Sequence, residues 1–171
     1  PIASLFIANC CHVAINCEDL EGEANFLKEA FDLQEVGRAG DVNKSGAIYM
    51  SDGVMNIALI KIEDPNFPNY NPQGLNHIGF VVEDLDAVID SAEAAGAKSM
   101  VDRDNKMAGV TWEMKMKSPS GKFDFDLSDH GWPGITLDRQ NAIRRALAGE
   151  SDSGSAFAQG GCDRSTVAAP F

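Results

Sequence analysis

A nine-residue pattern that occurs twice constrains this chain more than any single element does. His12-Val13-Ala14-Ile15-Asn16-Cys17-Glu18-Asp19-Leu20 returns 65 residues later as His77-Ile78-Gly79-Phe80-Val81-Val82-Glu83-Asp84-Leu85. Two copies at so long an interval are not a solenoid period; they describe two tandem modules. The modules span about residues 9–62 and 74–128, and a Pro/Asn-rich linker over 63–73 joins them. A chain of 171 residues suffices for two such halves to share a buried core.

Each module reads strand–helix–strand–strand–strand. Alternation over 10–17 sets Cys11, Val13 and Ile15 on one face and His12, Ala14 and Asn16 on the other. Asp19 is placed to cap a helix running to about Phe31, with Leu20, Ala24, Leu27 and Phe31 as its apolar stripe. Strands are expected at 34–38, 46–51 and 54–62, with Asp52-Gly53 as a tight hairpin turn. The second module repeats this with a strand at 76–82 and a helix over 85–95 stopped by Gly96. Strands near 99–102, 110–117 and 122–128 follow, the last after a Ser118-Pro119-Ser120-Gly121 turn. Phe26, Phe31, Phe123 and Phe125 read as core. The pattern predicts a domain over 1–132, then a tail over 133–171 made of a short helix at 138–148 and a Gly/Ser/Ala-rich tether. Arg144-Arg145 reads as an exposed face of that helix.

Charge narrows the partners. Lys and Arg total 14 against 26 Asp and Glu, a formal charge of −12 that repels nucleic-acid phosphates and anionic membrane surfaces. No run reaches the roughly eighteen apolar residues of a spanning helix, and residues 1–9 lack the basic start of a signal peptide. Cys10, Cys11 and Cys17 crowd one strand with no C-x-x-C pair, and Cys162 stands alone. Reduced thiols and a cytoplasmic setting are therefore expected.

The doubled unit, with a histidine opening each copy, resembles the vicinal oxygen chelate superfamily of glyoxalases, bleomycin-resistance proteins and extradiol dioxygenases. The resemblance covers about 5–132. It rests on the two His-[Val/Ile]-x4-Glu-Asp-Leu openings, Phe31-x4-Val36-Gly37-Arg38, the Pro119-Ser120-Gly121 turn, and Phe125-Asp126-Leu127. The last differs from the family's Pro-x-Gly-x-x-Ile-Glu-Leu ending by one extra residue after Gly121 and by Asp in place of Glu. The resemblance implies an α+β fold: two βαβββ modules forming a curved mixed sheet around a cavity, helices outside. It also implies a small-molecule substrate, a divalent metal and a homodimer.

On the final strand Asp124 and Asp126 share the face opposite Phe123, Phe125 and Leu127. His12 and His77 likewise lie opposite the apolar faces of their strands. With the resemblance, this makes His12, His77 and Asp126 the candidate metal ligands, Asp124 replacing Asp126 if the register shifts by two. Such a two-His-one-carboxylate set leaves positions open and suits Fe(II) or Mn(II), with Ni and Zn as alternatives. Glyoxalase-like and epimerase-like members draw a further ligand from the fourth strand of module one. That place falls near Ala58, which cannot bind metal, so the resemblance favours an extradiol-type dioxygenase over a lyase or epimerase. A non-catalytic binder of a drug or antibiotic, of the bleomycin-resistance type, is the alternative. Dioxygenases of this kind also use a further histidine as acid–base. His130 is the only one remaining, and it reads more simply as a surface or chain-reversal residue. Tyr49, Trp112 and Glu113 are candidates to line the cavity, and no general acid or base is identified.

Overall fold

The computed structural model describes residues 8–66, 73–104 and 113–136. Cys162, Trp112, the expected helix at 138–148, Arg144-Arg145 and the tether lie outside the described residues. Module one consists of β1 (Ala8–Asn16), α1 (Leu20–Phe31), β2 (Gln34–Gly40), β3 (Gly46–Ser51) and β4 (Asn56–Lys61). Module two consists of β5 (Gly74–Val82), α2 (Leu85–Ala94), β6 (Lys98–Ser99), β7 (Met114–Lys117) and β8 (Asp124–Ser128).

The repeated Glu-Asp-Leu does the same local work twice. Asp19 accepts a hydrogen bond from the Gly22 amide at 2.9 Å, and Asp84 accepts one from the Ala87 amide at 3.0 Å. Each aspartate thus satisfies an otherwise unpaired donor at a helix start. The leucine that follows is buried in both copies, a contribution of about 1.5–3 kcal/mol each.

The eight strands of the described residues form one curved mixed sheet in the order β2-β3-β4-β1-β5-β8-β7-β6. The two strands carrying the repeated pattern, β1 and β5, are antiparallel neighbours at its centre. Alternation then sorts the side chains. Ile48, Met50 and Leu59 pack with Leu20 and Ala24 of α1, while Met114, Met116 and Leu127 pack with Leu85 and Ile89 of α2. Intervening residues Tyr49, Ala58, Lys115 and Asp126 therefore face the other side, which carries the cavity.

Three expectations are corrected. A register shift between Cys10 and His12 in the β1–β5 ladder breaks the alternation, and Cys11 packs with Val81 and Trp132 instead of with Val13 and Ile15. Phe26, Phe31 and Phe123 are exposed, not core. Phe26 lies two residues beyond the buried Ala24, nearly opposite on the helix surface; Phe31 ends the helix and meets Phe26 edge to face. The strand expected at 99–102 is a two-residue ladder at 98–99.

Candidate functional site

Pairing at the centre of the sheet brings the two repeated histidines together. His77 stands opposite Ala14 and His12 opposite Gly79, and the Nε2 atoms of the two rings are 3.1 Å apart. On the far side of β5, the parallel ladder with β8 sets Gly79 opposite Asp126. Asp126 Oδ2 lies 3.4 Å from His77 Nε2. His12 and Asp126 are both 2% exposed and His77 is 9% exposed. The structure thus gathers His12, His77 and Asp126 at one corner. Asp124, opposite His77 in the ladder, pairs with Lys117 Nζ at 2.6 Å.

Amides hold both rings from behind. Asn56 is opposite His12 in the parallel β1–β4 ladder and accepts from His12 Nδ1 at 2.7 Å. Its Nδ2 donates to the Pro133 carbonyl at 2.8 Å, which fixes the orientation of the amide. Asn76 accepts from His77 Nδ1 at 2.7 Å and donates to Asn16 Oδ1 at 3.1 Å. Burial, with the neighbouring His77 second, lowers the His12 pKa from 6.5 to about 4, and burial lowers that of His77 as well. Both imidazoles are therefore neutral near pH 7, with the proton on Nδ1. Their facing Nε2 atoms present lone pairs to each other and to a carboxylate oxygen. That is an arrangement in want of a cation.

Lys115 supplies one from the side. It stands opposite Asp126 in the β7–β8 ladder, and its Nζ reaches Asp126 Oδ2 at 2.6 Å and Glu113 Oε2 at 3.8 Å. Burial opposes the lysine charge, but Asp126 and Glu113 outweigh it and raise its pKa. Burial also raises the Glu113 carboxyl and the Tyr49 hydroxyl, the latter with help from Glu113's charge. Among the described residues no three His, Cys, Asp or Glu side chains stand as a ready metal-holding group; the Asp126 oxygen facing His77 is held by this ammonium.

The donor chemistry nonetheless fits a metal. Two ligands at right angles about an ion with bonds of about 2.1 Å are about 3 Å apart, and the 3.1 and 3.4 Å separations here match that. Outer hydrogen bonds that leave Nε2 as the free atom are those that metal-binding histidines require. Ala58 is buried opposite Ala14, two residues beyond the Asn56–His12 pair, as Asp126 is two beyond the Asp124–His77 pair. The fourth-strand place in module one therefore holds no donor.

A cavity of about 500 Å³ opens over this corner. Ile60, Leu75, Met100 and Val101 line it with Asn16, His77, Lys115 and Asp126, while His12 does not. His130 does not line this cavity; it is a third exposed, bonded to Ser128 and Asp129, and near enough to Glu113 for its charge to favour that carboxylate.

Trp132 also reaches this corner. It stacks on His12, ring centroids 4.5 Å apart and planes 5° from parallel. After β8 the chain turns at Gly131 (φ 79°) and returns across module one. The Gly134 carbonyl accepts from Ser51 Oγ at 2.9 Å, and the Thr136 amide donates to the Gly53 carbonyl at 3.3 Å. Gly79 leaves room for the indole, since a Cβ there would lie 2.5 Å from a Trp132 ring carbon. Asn56, Asn76, Lys115 and Trp132 were not legible as site residues. Only the pairing register, which sets Asn56 beside His12 and Lys115 beside Asp126, marks the first and third.

Fold, duplication and histidine pair define a class of protein. Residues 11–111 match the Glyoxalase/Bleomycin resistance protein/Dioxygenase superfamily, and the chain belongs to that family, the vicinal oxygen chelate superfamily. A hypothetical protein from Bacillus halodurans C-125 is similar in structure, with a TM-score of 0.58 at 14% identity over 73% of this chain and 96% of that one. A methylmalonyl-CoA epimerase has a TM-score of 0.55 at 22% identity over 73% and 96%. The Mycobacterium tuberculosis methylmalonyl-CoA epimerase has a TM-score of 0.55 at 15% identity over 83% and 96%. At these identities the likeness is one of fold. No protein of curated function matches the chain. Among the described residues no helix is long and apolar enough to cross a membrane.

Proposed function

We propose that this chain is a metal-dependent enzyme acting on a small oxygen-rich or aromatic substrate, with His12, His77 and Asp126 as the protein donors and extradiol-type ring cleavage as the reaction. The observation that carries the reading is the pair of neutral Nε2 atoms 3.1 Å apart beside a buried carboxylate. Fe(II) or Mn(II) suits two imidazoles and one carboxylate, Ni and Zn being alternatives. Held by His12, His77 and Asp126, such a metal would supply open positions for adjacent substrate oxygens and dioxygen and would lower the pKa of oxygens bound there. The remaining work belongs to the protein. Asn56 and Asn76 keep each Nδ1 protonated and each Nε2 aimed at the centre. The apolar lining of Ile60, Leu75, Met100 and Val101 receives the apolar body of the substrate and excludes water. Ala58, by withholding a fourth donor, leaves that side open. A homodimer and a cytoplasmic setting belong to the same reading.

A lyase or epimerase that moves a substrate proton is the second reading. It is favoured by Glu113, a carboxylate beside Lys115 at the edge of the centre. The test is metal analysis of protein purified without chelator, then anaerobic Fe(II) loading and oxygen uptake across a panel of catechols. The proposal expects about one metal per chain and uptake that His12→Ala abolishes. Deuterium exchange into a CoA thioester without oxygen uptake would instead establish the proton-moving reading. Metal-free protein carrying a small molecule would establish a binding protein.

A further inference from the structure

Asp126 Oδ2 is claimed from two sides: Lys115 Nζ at 2.6 Å, and at 3.4 Å His77 Nε2, where the metal reading above puts an ion. Asp126 is 2% exposed, and a carboxylate so buried is costly to leave unpaired. Lys115 answers that need. It lies directly across the ladder from Asp126, and half its side chain is in solvent. A second acceptor is within reach, because Glu113, just before β7, has its Oε2 3.8 Å from the same nitrogen. The neighbouring carboxylate, Asp124, is already held by Lys117 at 2.6 Å. The duplication gives an internal control. Tyr49 and Ala58 are the cross-strand pair matching Lys115 and Asp126, so module one has neither the acid nor the lysine.

We propose that Lys115 is a tethered counter-cation that competes with the metal for Asp126, and that metal entry moves its ammonium onto Glu113. The inference rests on the metal reading above. Two cations sharing one carboxylate oxygen repel each other, and rotation of one flexible side chain relieves that repulsion while keeping the lysine paired. The lysine lets the metal-free protein keep its carboxylate buried, and it sets metal affinity below that of the bare donor set.

Calorimetric titration of metal-free protein with MnCl2 tests this in the full chain. Lys115→Met is expected to bind Mn(II) about tenfold more tightly than wild type. Glu113→Gln is expected to bind several-fold more weakly, since the displaced ammonium loses its acceptor, and the double variant to behave as Lys115→Met does. If Lys115→Met does not fold without metal, Lys115→Gln, which can hydrogen-bond Asp126 without charge, is read in its place. Unchanged or weaker binding in a folded Lys115 variant overturns the proposal while leaving the metal reading intact. Failure of both folded wild type and folded variant to take up Mn(II) or Fe(II) overturns the metal reading itself, and the proposal with it.

Discussion

The two halves of the sheet share a backbone plan and differ at matching places on the cavity face. Where module one has Tyr49 opposite Ala58, module two has Lys115 opposite Asp126. Asn56 beside His12 corresponds to Asp124 beside His77. Ala14 corresponds to Gly79, over which Trp132 lies. Helix caps, buried leucines and helix-side cores are alike in both. Duplication thus supplies the frame and one imidazole from each half, whereas the charged chemistry is confined to module two. Module one contributes the buttress instead: Asn56, steadied by the strap that returns from β8.

The sharpest way to break this contrast is to exchange what matches. Asp126→Asn should lower metal affinity more than about a hundredfold, while Ala58→Ser at the corresponding place leaves it unchanged; calorimetry compares them.

Acid titration tests the neutral imidazole pair. His12 has its pKa lowered from 6.5 to about 4 in the folded protein, so between those values the unfolded chain binds more protons. The stability of the metal-free protein should fall as pH drops from 6.5 to 4, by about 3 kcal/mol, measured as the urea midpoint against pH. In His12→Asn most of that dependence should vanish.

A smaller effect is expected from Gly79→Ala. Its new methyl would meet Trp132 at 2.5 Å, costing about 2 kcal/mol and changing Trp132 emission in a Trp112→Phe background. Ala14, its counterpart, already carries a methyl in module one. Smallest of all, Asp19→Ala and Asp84→Ala should each cost about 1 kcal/mol. Unequal costs in denaturant unfolding would show that the two caps are not equivalent.

Much of this plan was legible in the residues. The repeated pattern announced the two modules, and period-two alternation separated His12, His77 and Asp126 from the helix-side apolar positions. Helix α1 after Asp19 fell where expected, whereas the expected tight turn at Asp52-Gly53 is a four-residue connection over 52–55, because Ser51 pairs with Asn56 and β4 begins there. What escaped depends on long-range register. Asn56 looks like any polar strand residue until the β1–β4 ladder sets it against His12. Trp132 acquires a role only because the chain crosses back to Gly53 and Ser51. Cys11 was misplaced because a bulge interrupts the alternation, a feature with no marker in side-chain pattern alone. Phe26 was assigned by hydrophobicity, although helical spacing from Leu20 and Ala24 already set it apart; Phe31 lies on the apolar stripe by spacing but ends the helix and is exposed.

The central claim is that the paired imidazoles and Asp126 gather round one ion. Anomalous diffraction from crystals grown with Mn(II) tests it directly. The account predicts a single peak bounded by His12 Nε2, His77 Nε2 and an Asp126 carboxylate oxygen, with Lys115 displaced from Asp126. No peak at that corner, with the two Nε2 atoms still in contact and Lys115 still on Asp126, would contradict it.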